Sequence, residues 1–209
     1  MCGRRDCRAS AKYRDALRVL YVHDLETEPL DRLRAVVVPF QTHHGQMRRC
    51  LPRLLHFAER GGTVVVFGDG WLDDLGATWE PRPLDNSWWK RNPEDPPVRT
   101  VRAHALLQTI ERRSASFHHH GVYVTTPVNA ETVQVSRAGE VVSWDLRLGN
   151  GRIFASTQDP IVEHGVQQIR HLDGYVSALV SWLSGDAPTG SFELPDSHAL
   201  AHLCGQLAL

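Results

Sequence analysis

Residues 63–71 read TVVVFGDGW, and this stretch decides the fold. After Thr63 come four apolar residues without polar alternation, a pattern typical of a strand buried on both faces of a parallel sheet. The turn Gly68-Asp69-Gly70 follows at once, and glycine reaches backbone conformations that other residues resist. Because ligands of open α/β sheets bind beyond the carboxyl ends of the strands, the segment from Gly68 to Trp71 is predicted to lie at the binding crevice.

The segment before this strand predicts a strand–helix–strand unit. Residues 35–40 (AVVVPF) indicate a second buried strand, and residues 47–60 a helix that ends at Gly61-Gly62. The apolar side chains of this helix form one stripe at helical spacing: Met47, Cys50, Leu51, Leu54, Leu55 and Ala58. Two apolar strands joined by an amphipathic helix indicate an α/β protein. We therefore expect a mainly parallel sheet with residues 63–67 at its centre.

Residues 18–23 (RVLYVH) are predicted to form a further strand, which flanks the central strand together with residues 35–40. Only residues 24–34 connect these two predicted strands. That length is near the lower limit of about a dozen residues for a parallel crossover, so the connecting helix must be short.

The sequence after residue 71 differs in composition from the strand–helix–strand unit before it. Residues 72–103 hold five prolines and the run Trp88-Trp89-Lys90-Arg91, which predicts a long inserted loop. The tryptophans of this loop either stack on bases or sugars or anchor the loop to the core. Further predicted elements are a helix at 104–112, strands at 133–135, 141–146 and 152–156 with a hairpin turn at Asn150-Gly151, a helix at 165–183 and a tail helix at 196–207. The hairpin indicates an antiparallel addition near the edge of the sheet.

Composition and charge narrow the class of protein. Lys and Arg number 23 and Asp and Glu 24 in 209 residues, so no overall field attracts nucleic acid or a membrane surface. We expect a basic extension at 1–17, one α/β domain at 18–184 and a tail at 185–209. The four cysteines match no common zinc spacing, and neither a signal peptide nor a membrane span is recognisable. The sequence predicts a cytoplasmic protein without membrane contact.

The order of these elements resembles the class I glutamine amidotransferase-like superfamily over residues 18–184. The pattern runs from the AVVVPF strand and its helix through VVVFGDG, the long insertion and the β-hairpins to GRIFASTQDP and a helix ending in SWL. Within the superfamily it is most similar to ThuA-like branches that are not amidotransferases. The resemblance implies a flavodoxin-like fold, with helices on both faces of a mainly parallel sheet.

The catalytic residues of that superfamily do not match this sequence. Its active members carry a nucleophilic cysteine in the turn after the central strand, where glycine stands here in either register, at Gly68 or Gly70. Their catalytic histidine follows the last strand, where this chain has Gln158-Asp159-Pro160. Nucleophilic catalysis needs the nucleophile and its base within hydrogen-bond reach. We therefore expect no glutaminase activity.

Polar residues nevertheless gather at the predicted strand ends. The candidate ligand-binding residues are Thr42, His43, His44, Gly68, Asp69, Gly70, Trp71, His118, His119 and His120. The candidate catalytic residues are Asp69, His43, His44 and Asp159. A divalent metal such as zinc is a candidate cofactor, with His43, His44, His118, His120 and Asp69 as its candidate ligands. Because neighbouring strand residues face opposite sides, His118 and His120 share one side and His119 takes the other.

Three hypotheses for function stay open at this point. The first is a catalytically inactive amidotransferase-like domain that binds a small ligand, a protein partner or a second copy of itself. The second is a hydrolase or lyase, carbohydrate-directed as the ThuA-like resemblance implies, that uses the His and Asp residues at the strand ends with or without a metal. The third is a nucleic-acid-associated subunit that uses the basic N-terminus and residues 88–91.

Overall fold

The structure is a computed structural model that describes residues 16–185. Nearly all of the predicted basic extension and all of the predicted tail helix at 196–207 lie outside the described residues. No helix in residues 16–185 combines the length and the apolar character that a membrane span needs.

One eight-stranded sheet organises the described part of the chain. Its strands are β1 (Ala35–Val38), β2 (Thr63–Phe67), β3 (Trp79–Pro81), β4 (Val98–Thr100), β5 (Gly121–Tyr123), β6 (Glu131–Ser136), β7 (Val141–Leu148) and β8 (Gly151–Ser156). They lie in the order β1-β2-β8-β7-β5-β3, with β6 also paired to β7 and β4 to β6. The pairs β1–β2 and β2–β8 are parallel, and the remaining pairs are antiparallel. The α/β class is confirmed, but the expectation of a mainly parallel sheet is wrong because the sheet is mixed.

Five α-helices accompany the sheet in residues 16–185. They are α1 (His44–Glu59), α2 (Trp88–Arg91), α3 (Arg112–Ala115), α4 (Pro160–Gly165) and α5 (Asp173–Ser184). Short 3-10 helices lie at Asp24–Glu26, Leu30–Arg32, Asp73–Leu75 and Arg170–Leu172. The helix predicted at 47–60 is thus confirmed as α1. It begins earlier than predicted because His43 caps its N-terminus, accepting the Gln46 N–H on Nδ1 at 3.1 Å.

Strand β2 is buried on both faces, as its apolar run predicts. Val64 and Val66 belong to a core cluster that includes the apolar stripe of α1. Val65 and Phe67 belong to a second cluster on the opposite face, where Tyr175 of α5 packs. Each face of β2 therefore needs an apolar side chain at every second position, which explains the absence of polar alternation.

The predicted strand at 18–23 is wrong. Those residues lead through a turn into the 3-10 helix Asp24–Glu26, and β1 pairs with β2 alone among the described strands. The connection is too short for a crossover helix, so its two 3-10 helices instead insert Leu25 and Leu30 into the core. The second neighbour of β2 is β8, which the hairpin after β7 brings in parallel to β2. The hairpin strands consequently lie inside the sheet and not at its edge.

The insertion at 72–103 is not a structureless loop. It contains β3, α2 and β4, which pair with or pack on the rest of the domain. The helix predicted at 104–112 is also wrong, because this stretch forms turns and only Arg112–Ala115 is helical. His104 Nδ1 lies 3.3 Å from the Leu106 N–H and accepts from it. That local side-chain bond competes with regular helix formation.

The single helix predicted at 165–183 is divided in the structure. Helix α4 ends at Gly165, a 3-10 helix spans Arg170–Leu172, and α5 follows. Gln168 separates α4 from the next helical turn with a φ of 55°, in the left-handed region that a right-handed helix excludes. The predicted end of the last helix at Ser184-Gly185 is confirmed.

Candidate functional site

The carboxyl ends of β1, β2 and β8 meet at one edge of the sheet, and the chain segments that follow them are in contact. The ring of Phe40, just after β1, stacks on His120 with a centroid distance of 4.2 Å. The Gly68 N–H, just after β2, donates to the Ser156 carbonyl at 2.8 Å. The His120 N–H donates to the carbonyl of Thr157, just after β8, at 2.9 Å. These contacts bring the histidine-rich segment before β5 to the predicted crevice.

His44 and Asp69 form the first polar pair in this crevice. His44 Nε2 lies 2.9 Å from Asp69 Oδ2, and their side chains are 34% and 24% exposed. The other carboxylate oxygen of Asp69 accepts the Gln41 N–H at 3.4 Å. Gln41 has a φ of 60°, an uncommon conformation for a residue other than glycine. Asp69 therefore fixes both the imidazole and the loop that carries it, while His44 stays accessible to solvent.

A second group, formed by His118, His120 and Glu163, is buried deeper. One ligand-type atom from each residue lies within 4.8 Å of the other two. His118 Nε2 lies 3.3 Å from Glu163 Oε1, and these side chains are only 4% and 8% exposed. His118 Nε2, His120 Nε2 and Glu163 Oε2 are all buried without a hydrogen-bond partner in the described part of the chain. Buried polar atoms are nearly always satisfied in proteins, so these three atoms are candidates for binding a ligand.

The electrostatics of His120 suit a metal ligand. Burial and the neighbouring His118 lower the pKa of His120 to about 4, against the opposing attraction of the Glu163 and Asp69 carboxylates. The imidazole is therefore neutral near pH 7. A neutral imidazole keeps a ring-nitrogen lone pair for a metal, which a protonated one lacks.

Two of the predicted site histidines lie outside this group. His43 caps α1 through its Nδ1 atom, as described above. His119 Nδ1 lies 2.9 Å from the Gly121 carbonyl oxygen, on the other side of the segment. The structure thus brings His118 and His120 together and excludes His119, as alternation along the chain predicts. His44 and Asp69 pair with each other and do not belong to the three-residue group.

The remaining predicted site residues have local structural contacts. Thr42 Oγ1 donates to the Pro39 carbonyl at 2.7 Å, and Trp71 is buried in the core beside α1. Asp159 Oδ1 accepts the Val162 N–H at 3.1 Å and so caps α4. Gly68 and Gly70 carry no side chain to contact a ligand, and they shape the turn that holds Asp69.

Glu163 is the residue that sequence reasoning missed. The helix was expected to begin at residue 165, which left Glu163 in a loop. The available signal was the Asp159-Pro160 pair, because aspartate at the N-cap followed by proline in the first turn marks a helix start. A helix that begins there places Glu163 in its first turn, directly after β8.

One cavity in the described part of the chain lies at the beginning of β2, and another adjoins the three-residue group. The larger of these two, of about 610 Å³, includes Gly61, Gly62 and Thr63 at the beginning of β2, and none of the three residues of the group lines it. The smaller, of about 340 Å³, adjoins the three-residue group. The side chains of the smaller cavity that matter here are Trp88, Trp89, Arg113, Phe117, His118, Glu163 and Ile169. We take the smaller cavity as the ligand site because it holds the buried titratable groups.

The run Trp88-Trp89-Lys90-Arg91, in the segment 72–103, contributes its two tryptophans to the wall of the smaller cavity. Trp88 is only 4% exposed, and Arg91 binds Asp85. The burial of Trp88 agrees with the alternative in which the tryptophans anchor the loop to the core, although Trp88 also lines the cavity. Trp89 remains half-buried at the cavity, with Arg113 over its ring.

No family model and no curated protein matches this chain. Among solved structures, a cytoplasmic protein from Salmonella typhimurium is similar with a TM-score of 0.51 at 12% identity, over 77% of this chain and 78% of that one. A β-galactosidase from Bacillus circulans sp. alkalophilus gives a TM-score of 0.45 at 15% identity, over 76% of this chain and 24% of that one. An exo-β-1,4-mannosidase from Opitutaceae bacterium strain TAV5 gives 0.42 at 11% identity, over 78% and 27%. This chain thus spans about a quarter of either glycosidase. At these identities a likeness speaks to fold alone.

Proposed function

We propose that this domain binds a divalent metal ion, with zinc as the best fit, through His118, His120 and Glu163, and uses it in a hydrolase or lyase reaction on a small ligand. One observation carries the proposal. His118, His120 and Glu163 each offer one zinc-binding atom within 4.8 Å of the other two, and His118 Nε2, His120 Nε2 and Glu163 Oε2 are buried without a hydrogen-bond partner in residues 16–185. Each orphaned polar atom of this kind costs about 1–3 kcal/mol, and a bound ion would remove that penalty.

The dimensions support zinc. Ligand atoms at about 2.0–2.1 Å from a tetrahedral ion lie about 3.3 Å from one another. His118 Nε2 and Glu163 Oε1 already have that separation, at 3.3 Å. Two histidines and one carboxylate are a ligand set of catalytic zinc sites, which keep a fourth position open for water or substrate. The cavity that adjoins His118 and Glu163 provides room for that fourth ligand.

His44 and Asp69 supply the second element of this proposal, a proton-transfer group. His44 is accessible to solvent, and its partner Asp69 orients the imidazole. Asp69 is near enough to His120 to influence its charge. The pair thus lies at the same edge of the sheet as His118, His120 and Glu163, where His44 would hold or release a proton for a ligand in the site.

The amidotransferase-like, flavodoxin-like ancestry belongs to the same proposal, with the cysteine chemistry lost. A side chain at Gly68 would lie 2.7 Å from Phe40 Cβ, and one at Gly70 would lie 2.5 Å from Trp79 Cβ. Aromatic side chains therefore fill the space that a nucleophile would need. The free cysteine in the described residues, Cys50, is buried in α1, and burial raises the pKa of its thiol.

A second candidate function is binding of a protein partner or of a second copy of this chain. It is favoured by β1, which pairs on one side only among the described strands and so leaves a row of backbone groups at the edge of the sheet. The molar mass in solution, measured by light scattering across a concentration series, tests self-association directly.

Metal analysis tests the main proposal. Full-length protein is equilibrated with zinc, dialysed and analysed for bound metal, and its affinity is measured by competition with a chromogenic chelator. We expect one tightly bound zinc per chain, and loss of about a hundredfold or more in affinity on His118→Ala or Glu163→Gln. The matched control is His119→Ala, which removes the neighbouring imidazole from the other side of the same segment. Equal affinity in the His118→Ala and His119→Ala variants, or no stoichiometric zinc in the wild type, would refute the proposed metal site.

A further inference from the structure

The cavity beside His118 and Glu163 has a cation that forms no ion pair with a carboxylate of residues 16–185. Arg113 lines the cavity, and within residues 16–185 its guanidinium forms no ion pair. Its neighbour Arg112, by contrast, lies 3.6 Å from Glu94 Oε2. The carboxylate of Asp85, which also lines the cavity, is bound by both Arg91 and Arg137. Arg113 is therefore an unpaired cation at this wall, and Lys90 Nζ lies nearby, 4.9 Å from the centre of the Trp89 ring.

Arg113 is held in place without being neutralised. Its guanidinium carbon lies 4.0 Å from the centre of the Trp89 ring. A stacked guanidinium keeps its positive charge and leaves its N–H donors at the edge of the plane, where they bind planar oxyanions in a bidentate manner. The site is thus organised for an anion before any ligand arrives.

Apolar and aromatic side chains form one part of the cavity wall, and the polar residues Asn86, Gln167 and His171 also line it. Trp88, Phe117 and Ile169 line it together with Trp89, and its volume of about 340 Å³ is at the lower end for small-molecule sites. Such a cavity fits one ring and not a chain of several. His118 and Glu163, two of the proposed metal ligands, line the same cavity.

From this arrangement we propose that the cavity binds a small molecule composed of one ring and one oxyanion, a phosphate monoester or a carboxylate. The ring packs on the tryptophan wall, and the oxyanion binds between Arg113 and the metal ion. The inference rests on the proposed metal site and names the ligand class of that site. Arg113 is exposed at the cavity, and an anionic ligand can form charge-assisted hydrogen bonds with its guanidinium that a neutral ligand of the same shape cannot form.

The test uses zinc-loaded full-length protein and four probes: phenyl phosphate, benzoate, inorganic phosphate and phenol. Dissociation constants are measured by calorimetry and by the change in tryptophan fluorescence. We expect phenyl phosphate or benzoate to bind at least about tenfold more tightly than phenol, which lacks the anionic group, and than inorganic phosphate, which lacks the ring. The ratio of phenyl phosphate to benzoate affinity identifies the oxyanion that the site prefers.

The variants separate this inference from the metal proposal. Arg113→Gln is expected to weaken binding of the anionic probe about tenfold and to leave zinc content and phenol binding unchanged. Arg112→Gln is the matched control and is expected to change neither. If zinc binds but the anionic probes bind no better than phenol, or if Arg113→Gln and Arg112→Gln behave alike, the inference is wrong while the metal site stands. Failure to bind zinc would instead overturn the metal proposal.

Discussion

The turn after β2 has no room for a side chain at Gly68, and replacing this residue by alanine measures how tightly the crevice is packed. Gly68 has a φ of 89°, where a residue with a Cβ atom is strained by about 1–2 kcal/mol. A Cβ atom at this position would also lie 2.7 Å from both Cβ and Cγ of Phe40, well inside contact distance. Overpacking of this kind costs about 1–3 kcal/mol. We therefore expect Gly68→Ala to lower the free energy of unfolding by about 2–5 kcal/mol.

Gly139 provides the matched control for this substitution. Its φ is 83°, nearly the same, but no atom lies within 4 Å of the position that a Cβ would occupy. Gly139→Ala should therefore show the backbone strain alone, about 1–2 kcal/mol. Both variants are compared with the wild type by urea denaturation followed by circular dichroism, with the slope of the transition monitored. If the two variants lose the same stability, the close approach of Phe40 to the turn is wrong, and the turn is then open enough to accommodate a nucleophile.

Three further predictions concern activity, pH and the core. Purified protein should release no ammonia from glutamine, and release above the buffer rate in an enzyme-coupled ammonia assay would contradict the loss of cysteine chemistry. Burial, followed by the charge of Arg152, lowers the pKa of His104 to about 4 from 6.5. Between pH 4 and pH 6.5 the His104 imidazole is protonated in the unfolded state and neutral in the folded state. The free energy of unfolding is therefore unaffected by this residue above pH 6.5 and decreases as the pH falls towards 4, by at most about 3 kcal/mol. Urea denaturation at pH 7.5 and pH 5 should show a smaller difference for His104→Phe than for the wild type, and an unchanged difference would disprove this assignment. Gln134→Leu should lower the free energy of unfolding by about 2–4 kcal/mol. It removes the hydrogen bond that Gln134 donates to the Ala115 carbonyl at 2.8 Å and the one that it accepts from Ser143 Oγ at 3.0 Å. The same change at the exposed Gln167 should have little effect on stability.

Elements whose apolar residues recur at the spacing of a buried strand or of a helix could be predicted from the sequence. Strand β2 is one, because both of its faces are buried, and α1 is another, because its stripe faces a single core cluster. Strands β3 and β4 were not predictable in this way. Each has three residues and only one side chain with substantial burial, so no period can be read from them. Their pairing depends on β5 and β6, which lie far along the chain.

The candidate site likewise has some features that a local sequence pattern predicts and others that depend on residues far apart in the chain. Alternation along the chain predicts that His118 and His120 face one side, which is a local property. The contact of His44 with Asp69 joins segments 25 residues apart, and only their position after adjacent parallel strands suggests it. Glu163 could not be assigned without the start of α4, because a shift of a few residues in a helix boundary changes which side chain faces the sheet edge.

The correction to the sheet topology also explains how His118, His120 and Glu163 are brought together. A strand at 18–23 beside β2 would have placed the N-terminal segment at the crevice. The structure places β8 there instead, because the antiparallel turn after β7 reverses the chain and sends β8 parallel to β2. Its carboxyl end therefore lies at the same edge as those of β1 and β2, and Asp159 begins α4 three residues later. Glu163 reaches His118 and His120 by this route. The antiparallel half of the sheet, which sets this fold apart from a mainly parallel one, is thus what supplies the carboxylate to the site.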